Sequence, residues 1–251
     1  MGAALRPEDA VWSQLDRFRR RVESALEAVR RAADIGPIGV AFSGGKDSVC
    51  VLDLVRRVVP DAPAALFDSG CELPETLSLA TSMRVDIIRP RMSMLDMARY
   101  AGWWEYADPV DRGCAFDAKA VLIQEPSEAF VVTRRLRVLA YGVRGSESSA
   151  RAVHAATRRE LWQGADRTWY LMPLAAWDER DVWAYIASRE LSYHPAYDAM
   201  AEADIPRRSQ RVAQMLGERG SGWGRHALLR RYAPEAWRAL AREFPALYRL
   251  S

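Results

Sequence analysis

The chain has 251 residues, 49% of them apolar and 27% charged, enough to bury a sizeable core in one large α/β domain with appendages. No apolar run reaches the roughly 18 to 20 residues of a membrane span, and the first residues lack a secretory signal pattern, so we expect a cytoplasmic protein without a membrane partner. The three cysteines, Cys50, Cys71 and Cys114, are unclustered, which excludes a disulfide framework or a zinc site and predicts reduced thiols.

Charge is distributed unevenly along the chain. The net charge is +3, but residues 201–251 contain ten arginines and five acidic residues, so this end is basic and the remainder slightly acidic. Such a basic surface fits either a solvated helical face or contact with a nucleic acid or protein partner. Only Lys46 and Lys119 among the 36 basic residues are lysine. In so arginine-rich a chain, a retained lysine indicates a place that needs a compact ammonium.

An amphipathic helix is predicted at the N-terminal end, over residues 8–34. Apolar residues recur there at steps of three and four, which places them on one helix face, and arginines occupy the opposite face. The predicted apolar face comprises Val11, Leu15, Phe18, Val22, Leu26, Val29 and Ala33.

Five short apolar runs, separated mostly by helical segments, predict buried strands. They cover residues 37–43, 64–69, 85–90, 137–145 and 168–174. This alternation predicts an α/β fold with a doubly wound, mostly parallel five-stranded sheet, which binds ligands at the carboxyl ends of its strands.

Other segments are less regular. Residues 100–130 show no clear period and are predicted to be partly irregular and near the site, and short helices around a glycine-rich joint are predicted after residue 200. The pattern therefore divides the chain into an N-terminal helix (residues 1–34), a central α/β domain (35–198) and a basic helical extension (199–251).

The stretch SGGKDS, from Ser43 to Ser48, follows the first predicted strand and opens a helix. Its glycines let backbone N–H groups approach a ligand, the helix N-terminus adds positive potential, and Lys46 contributes an ammonium. These features together predict a phosphate site. The stretch is not the ordinary nucleotide loop G-x-x-x-x-G-K-[ST], because Asp47 stands where a serine or threonine would hold magnesium.

SGGKDS is similar to the signature of the PP-loop nucleotide-binding enzymes, and later stretches resemble the phosphoadenosine phosphosulfate (PAPS) reductase family. FDSGCELPET (67–76) resembles D-[TS]-G-x-x-x-P-E-T, and GVRGSESSAR (142–151) resembles G-x-R-x-x-[QE]-S-x-x-R. PLAAWDERDVWAYI (173–186) and LSYHPAYD (191–198) resemble P-L-x-x-W-x-x-x-D-V-W-x-Y-I and L-P-Y-N-P-L-Y-D. The blocks occur in the family's order and imply its adenine nucleotide alpha hydrolase-like fold.

The resemblance implies a set of site residues and ligands. Ser43, Gly44, Gly45, Lys46, Asp47 and Ser48 would hold the phosphate end of an adenine nucleotide, with Asp68 and Gly70 beside it. Arg144 and Arg151 would face the phosphates or an incoming anion, which suits a guanidinium because it stays charged and can bind two oxygens; a solvated helix position is the alternative for Arg151. Lys46, Asp47 and both arginines are the candidate catalytic residues. ATP or PAPS, with Mg²⁺, is the expected ligand.

The remaining prominent residues of these blocks are interpreted as structural. Trp177, Trp183 and Tyr185 are expected in the core, and Asp178 is expected to cap a helix. His194 is interpreted as a structural histidine, with a catalytic role as the alternative.

The chain departs from the family in its cysteines. A PAPS reductase needs a nucleophilic cysteine near its C-terminus, and iron–sulfur relatives need further paired cysteines. Here Cys114 is the last cysteine in the sequence. We therefore expect no iron–sulfur cluster and no reducing thiol of the chain's own. Cys114, five residues before Lys119, is interpreted either as a contact of the site or as a buried structural thiol.

Relatives of the PP-loop class that do not reduce sulfur release pyrophosphate from ATP and adenylylate a substrate, chemistry that depends on positioning and charge neutralisation. The main prediction is therefore an ATP pyrophosphatase that activates a substrate for sulfur transfer such as DNA phosphorothioation, with Mg²⁺ within reach of Asp47 and Asp68. A cysteine desulfurase or DNA-modification proteins would be its partners, and the family implies a homodimer.

The alternatives are a sulfonucleotide (PAPS or APS) reductase that uses a partner's thiol, and a nucleotide-binding subunit without turnover.

Overall fold

Helices and strands alternate through most of the computed structural model, which describes residues 2–101, 117–145, 160–212 and 229–250. The helices are α1 (Pro7–Ser13), α2 (Asp16–Ile35), α3 (Lys46–Val58), α4 (Pro74–Ser82), α5 (Met94–Ala101), α6 (Glu125–Thr133, after a π-helical turn at Ala120–Gln124), α7 (Glu179–Ser188), α8 (Ala196–Glu202) and α9 (Pro234–Glu243). The strands are β1 (Ile38–Phe42), β2 (Ala64–Phe67), β3 (Asp86–Ile88), β4 (Val138–Tyr141), β5 (Leu161–Gln163) and β6 (Trp169–Leu171).

The strands form one sheet in the order β3-β2-β1-β4-β6-β5. All neighbours pair in parallel except β5, which runs antiparallel to β6 at the edge. The prediction of a doubly wound, mostly parallel sheet is confirmed, but the predicted number of five strands is wrong. The missed strand is β5 (Leu161–Gln163), because its apolar run is only two residues, Leu161 and Trp162, between Glu160 and Gln163.

The sheet order places the candidate site. The chain passes from β1 to β2 on one side and later to β4 on the other, so β1 is flanked by strands whose connections diverge. In open α/β sheets, ligands bind in the crevice outside the carboxyl ends of the strands at such a switch point. β1, with the sequence IGVAF, is almost wholly buried because elements cover both faces of the sheet.

The N-terminal segment contains two helices where one, over residues 8–34, was predicted. α1 ends at Ser13, and Leu15 has extended backbone angles before α2 begins. The break shifts the helix phase, so Val11 is 67% exposed and Leu15 38% exposed, although both were predicted on the buried face. Phe18, Leu26 and Val29 of α2 are buried as the periodicity predicts.

The connection before α7 and the helix itself confirm the structural interpretation of their aromatic residues. Trp177, Trp183 and Tyr185 are all buried. Asp178 caps α7 by accepting hydrogen bonds from the backbone N–H groups of Arg180 at 2.9 Å and of Asp181 at 3.2 Å. The Asp181 carboxylate accepts in return from the Asp178 N–H at 2.8 Å, which completes a capping box.

Two other segments can be compared with their predictions. Residues 120–133 are helical, so the end of the 100–130 segment is regular. Residues 102–116 lie outside the described ranges, and the prediction that the segment is partly irregular stays a prediction. α9 falls within the predicted C-terminal helices. Within the part of the chain that the structure describes, no helix is long and apolar enough to cross a bilayer. The division into three domains stays a prediction.

Asp178 gives a test of the α7 cap. Burial raises the pKa of this carboxyl, but the Arg21 guanidinium and the two backbone donors outweigh burial and leave the pKa lowered. We expect Asp178→Ala to lower the free energy of unfolding at pH 7 by about 1 kcal/mol, measured by urea denaturation. Because the folded pKa is depressed, this contribution exists above the unfolded pKa of about 3.9 and is lost as the pH falls through the folded pKa.

Asp178→Asn is the matched control, since an amide oxygen still accepts the backbone hydrogen bonds. It should retain most of the stability at pH 7. A loss at pH 7 as large for asparagine as for alanine, or a deficit of the alanine variant that grows below pH 4, would contradict the assignment of this stability to the cap.

Candidate functional site

The loop from Ser43 to Gly45 joins the end of β1 to the first residue of α3. Gly44 has a φ of +73°, a conformation that residues with a Cβ rarely adopt. A Cβ at this position would also lie 2.7 Å from Thr76 Cγ2 of α4. The loop can therefore keep this path only with glycine at position 44.

Ser43 and Ser48, on either side of Gly44 and Gly45, hold the shape of the loop. Ser48 Oγ donates to the Gly45 carbonyl at 2.8 Å and accepts from the Ser43 N–H at 3.2 Å. Within the described residues, the N–H groups of Gly44 and Gly45 have no protein acceptor. The serines thus close the loop on itself, while two glycine amides are available to an anion.

Lys46 is 2% exposed, which is rare for a lysine. Its Nζ lies 3.4 Å from Asp47 Oδ2 and 5.4 Å from the centre of the Tyr197 ring. Burial lowers the pKa of this ammonium, but attraction to Tyr197 and Asp47 outweighs burial, and the net pKa is raised. Lys46 is therefore charged at neutral pH, as expected of a retained lysine that contributes a compact charge.

Arg144 lies at the carboxyl end of β4 and is also buried. Its Nε donates to Asp47 Oδ1, so the Asp47 carboxylate lies between two cations. Gly142 permits this approach, because a Cβ there would lie 2.8 Å from the backbone nitrogen of Ser48. We call Lys46, Asp47 and Arg144, two buried cations on one carboxylate, the charge cluster.

Asp68 and Gly70 lie just beyond the end of β2. Asp68 Oδ1 accepts from the Gly70 N–H at 2.9 Å, and Asp68 Oδ2 lies 3.6 Å from Nε of the exposed Arg89. Gly70 has a φ of +81°, and a Cβ there would lie 2.9 Å from Ser93 Cβ. Among the described residues, neither makes a hydrogen bond or ion pair with the loop, so their expected contact with a nucleotide stays a prediction.

Three residues that were not among the predicted site residues, Thr76, His194 and Tyr197, support the loop. Tyr197 Oη accepts from the Lys46 N–H at 3.1 Å. His194 Nδ1 accepts from the Ala196 N–H at 3.1 Å, so Nε2 carries the proton that it donates to Thr76 Oγ1 at 2.9 Å. Burial lowers the pKa of His194 to about 4, so this histidine is neutral at pH 7. Its position fits the structural interpretation.

Tyr197 and His194 belong to the LSYHPAYD block, so the resemblance marked the segment. Nothing in the local pattern indicated which of its residues reach the loop, because their partners lie more than 100 positions away in the chain.

The carboxylates of the site do not by themselves form a magnesium site. Both Asp47 oxygens face cations, and one Asp68 oxygen accepts a backbone N–H. No group of three potential ligands that could hold a metal ion occurs among the residues described. Mg²⁺ is commonly bound through substrate phosphates and water with one or two carboxylates, so its expected arrival with a nucleotide stays a prediction.

The two cysteines within the described residues are protonated at neutral pH. Burial, reinforced by nearby carboxylates, raises the pKa of Cys50 well above its usual value and that of Cys71 to about 12. A thiol nucleophile reacts as the thiolate, so neither side chain is suited to that role. Cys114 and Arg151 lie outside the described residues, and Lys119 is exposed just before the π-helical turn.

The fold and the site define a doubly wound α/β protein with a glycine-containing loop and two buried cations at the carboxyl end of its first strand. The family model of the phosphoadenosine phosphosulfate reductase domain matches residues 37–203. The chain belongs to the phosphoadenosine phosphosulfate reductase domain family, which confirms the resemblance seen in the sequence.

Similar proteins agree with this assignment. A PAPS reductase from Xanthomonas oryzae pv. oryzae is 30% identical over 205 residues, covering 78% of this chain and 79% of the relative. A PAPS reductase from Xylella fastidiosa is 28% identical over 184 residues, covering 70% of this chain and 74% of the relative. The crystal structure of PAPS reductase from Candida auris, a phosphate complex, shares the fold with a TM-score of 0.52 at 17% identity, covering 72% of this chain and 89% of that one.

Gly44 and Thr76 provide a test of the loop geometry. We expect Gly44→Ala to destabilise the fold by more than about 1 kcal/mol, because it adds both a left-handed backbone penalty and a steric overlap with Thr76 Cγ2. Thr76→Ser removes that methyl and keeps the hydroxyl that His194 contacts. In the Thr76→Ser background, Gly44→Ala should therefore cost measurably less, by roughly 0.5 kcal/mol or more in a double-mutant cycle. An equal cost in both backgrounds would show that the two residues do not meet as described.

Proposed function

We propose that this chain is a sulfonucleotide reductase that binds PAPS at residues 43–48, the loop and the first turn of α3. It would reduce the sulfate group of PAPS to sulfite with thiols from a partner protein. The observation that carries the proposal is the charge cluster, in which two buried cations share one carboxylate next to two glycine amides. Its two buried cations, beside two glycine N–H groups, suit an anionic phosphosulfate. The relatives named PAPS reductase support this substrate over ATP.

The proposed chemistry places the phosphate of the phosphosulfate group in the loop, on the amides of Gly44 and Gly45 and near the Lys46 ammonium. A partner thiolate attacks the sulfur, the bond from sulfur to the bridging oxygen breaks, and its electron pair stays on the departing nucleotide phosphate. Lys46 neutralises the charge that develops there, the kind of electrostatic stabilisation that is strongest in a buried site. A second thiol then attacks the resulting S-sulfonate, releasing sulfite and leaving a disulfide on the partner.

The proposal assigns the thiols to a partner because burial raises the pKa of both Cys50 and Cys71, which disfavours their thiolate forms. Attack on sulfur needs a thiolate that can approach the substrate. A dithiol protein of the thioredoxin type supplies both thiols. The partner thus provides the two electrons of the reduction and is itself oxidised to a disulfide.

A second candidate function is favoured by the same protonated cysteines. In the ATP pyrophosphatase reaction, an acceptor oxygen attacks the α-phosphorus of ATP, the bond to the β-phosphate oxygen breaks, and pyrophosphate leaves. That reaction needs no thiol, and the charge cluster would neutralise phosphate charge in the same way. A sulfur-donor protein such as a cysteine desulfurase, or DNA-modification proteins, would then be the partners.

One pair of assays separates the two functions. The protein is given PAPS with thioredoxin, thioredoxin reductase and NADPH, and sulfite is measured; it is also given ATP with Mg²⁺, and AMP and pyrophosphate are measured. Sulfite formation that persists in Cys71→Ser and in Cys114→Ser supports the reductase with a partner thiol. AMP and pyrophosphate without sulfite overturn it in favour of the pyrophosphatase. Nucleotide-dependent stabilisation with no product in either assay indicates a binding subunit.

Lys46 is the residue on which either function depends. We expect Lys46→Ala to weaken nucleotide binding by roughly tenfold to a hundredfold, the value of a charge-assisted contact, and to remove the thermal stabilisation that PAPS or ATP provides. Lys46→Arg should also weaken binding, because the larger planar guanidinium does not fit the place of a buried ammonium.

Lys119→Ala is the matched control, since it removes the other lysine of the chain from an exposed position. Nucleotide stabilisation should be unchanged in this variant. If Lys46→Ala binds nucleotide as tightly as the parent protein while remaining folded, the assignment of the phosphate site to this loop is wrong.

A further inference from the structure

A cleft of about 250 Å³ lies between α2 and the connection from β6 to α7. Its α2 side is formed by residues spaced three and four apart, which share one helix face. The lining residues are Arg17, Arg20, Arg21, Ser24, Ala25, Pro173, Ala176 and Trp177. We call this the α2 cleft. It lacks acidic lining residues, and its polar side chains are three guanidiniums and one hydroxyl.

Two of the three guanidiniums are not neutralised. Arg17 stacks on the Trp12 ring, with Cζ 3.6 Å from the ring centre, a contact that leaves its charge in place. Arg20 is exposed, and among the described residues neither Arg17 nor Arg20 has a carboxylate partner. Most other arginines of α2 differ in this respect, since Arg19 pairs with Asp16 and Arg30 pairs with two glutamates.

The third guanidinium is fixed in position. Arg21 Nη1 lies 3.2 Å from Asp178 Oδ2 and also contacts Asp181 Oδ2. Both carboxylates are engaged further, because they cap α7 and Asp181 Oδ1 accepts from Trp12 Nε1 at 3.0 Å. Arg21 is therefore held in place and paired with two carboxylates, so the net positive charge of the cleft comes from Arg17 and Arg20.

We propose that the α2 cleft is a second anion site, which binds a phosphate- or sulfate-bearing molecule independently of the charge cluster. Guanidiniums bind such oxyanions through paired hydrogen bonds, and the Ser24 hydroxyl can act as a further donor. The apolar side, formed by Ala25, Pro173, Ala176 and Trp177, leaves room for an uncharged part of the ligand next to the anion. The proposal does not rest on the function proposed above.

The cleft is also joined to the first site through the backbone. The Ala175 carbonyl accepts from the Gly145 N–H at 3.1 Å, and Gly145 directly follows Arg144. An anion bound in the α2 cleft would therefore contact a connection that is hydrogen-bonded to the residue after Arg144.

The test measures anion binding by calorimetry at constant ionic strength, in the full chain carrying Lys46→Ala so that the loop does not contribute. Inorganic pyrophosphate and adenosine 5′-monophosphate are the probes. We expect Arg17→Gln with Arg20→Gln to weaken binding by about tenfold or more, since two charge-assisted contacts are lost. The matched control, Arg19→Gln with Arg30→Gln, removes two charges from the same helix outside the cleft and should leave the affinity unchanged.

Tighter binding of the nucleotide than of pyrophosphate would identify an organic phosphate as the occupant, and the reverse would identify a free oxyanion; both support the site. Equal weakening in the cleft pair and the control pair would show that only overall charge matters and would overturn the proposal. Absence of measurable anion binding in the Lys46→Ala protein, with its melting temperature unchanged, would also overturn it.

Discussion

The charge cluster is the feature on which the candidate site depends. Lys46 and Arg144 are almost fully buried, and among the described residues the Asp47 carboxylate pairs with both of them. Burial of an ion costs several kcal/mol unless partners compensate, so two buried cations are stabilised by negative charge nearby. The glycine amides of the loop, which have no acceptor among the described residues, lie next to these cations. This combination is the physical basis of the proposal that the loop binds phosphate.

The fold brings these groups together. β1 and β4 are parallel neighbours, so the segments that follow them emerge at the same edge of the sheet. The absence of a side chain at Gly142 lets the end of β4 approach the first turn of α3, which places Arg144 on Asp47. The loop is held from the other side by Thr76 and by Tyr197. Four segments far apart in the chain thus contribute to one site.

The sequence alone was sufficient to predict the structural features that depend on local residue patterns. Strand runs, the glycines of the loop and the buried lysine follow from periodicity and residue type, so the parallel sheet and the loop were predictable. The break at Leu15 and strand β5 were not, because each depends on tertiary contacts of two or three residues. The supporting roles of Tyr197 and His194 could not be predicted either, because their hydrogen bonds to Lys46 and Thr76 join positions more than 100 residues apart.

The central claim is that the phosphate of an adenine nucleotide binds at the charge cluster. Its most direct test is a crystal structure of the protein with bound PAPS. The account predicts the phosphosulfate phosphate within hydrogen-bond distance of the Gly44 and Gly45 amides and close to Lys46 Nζ. A nucleotide bound elsewhere on the protein, with the loop empty, would contradict it.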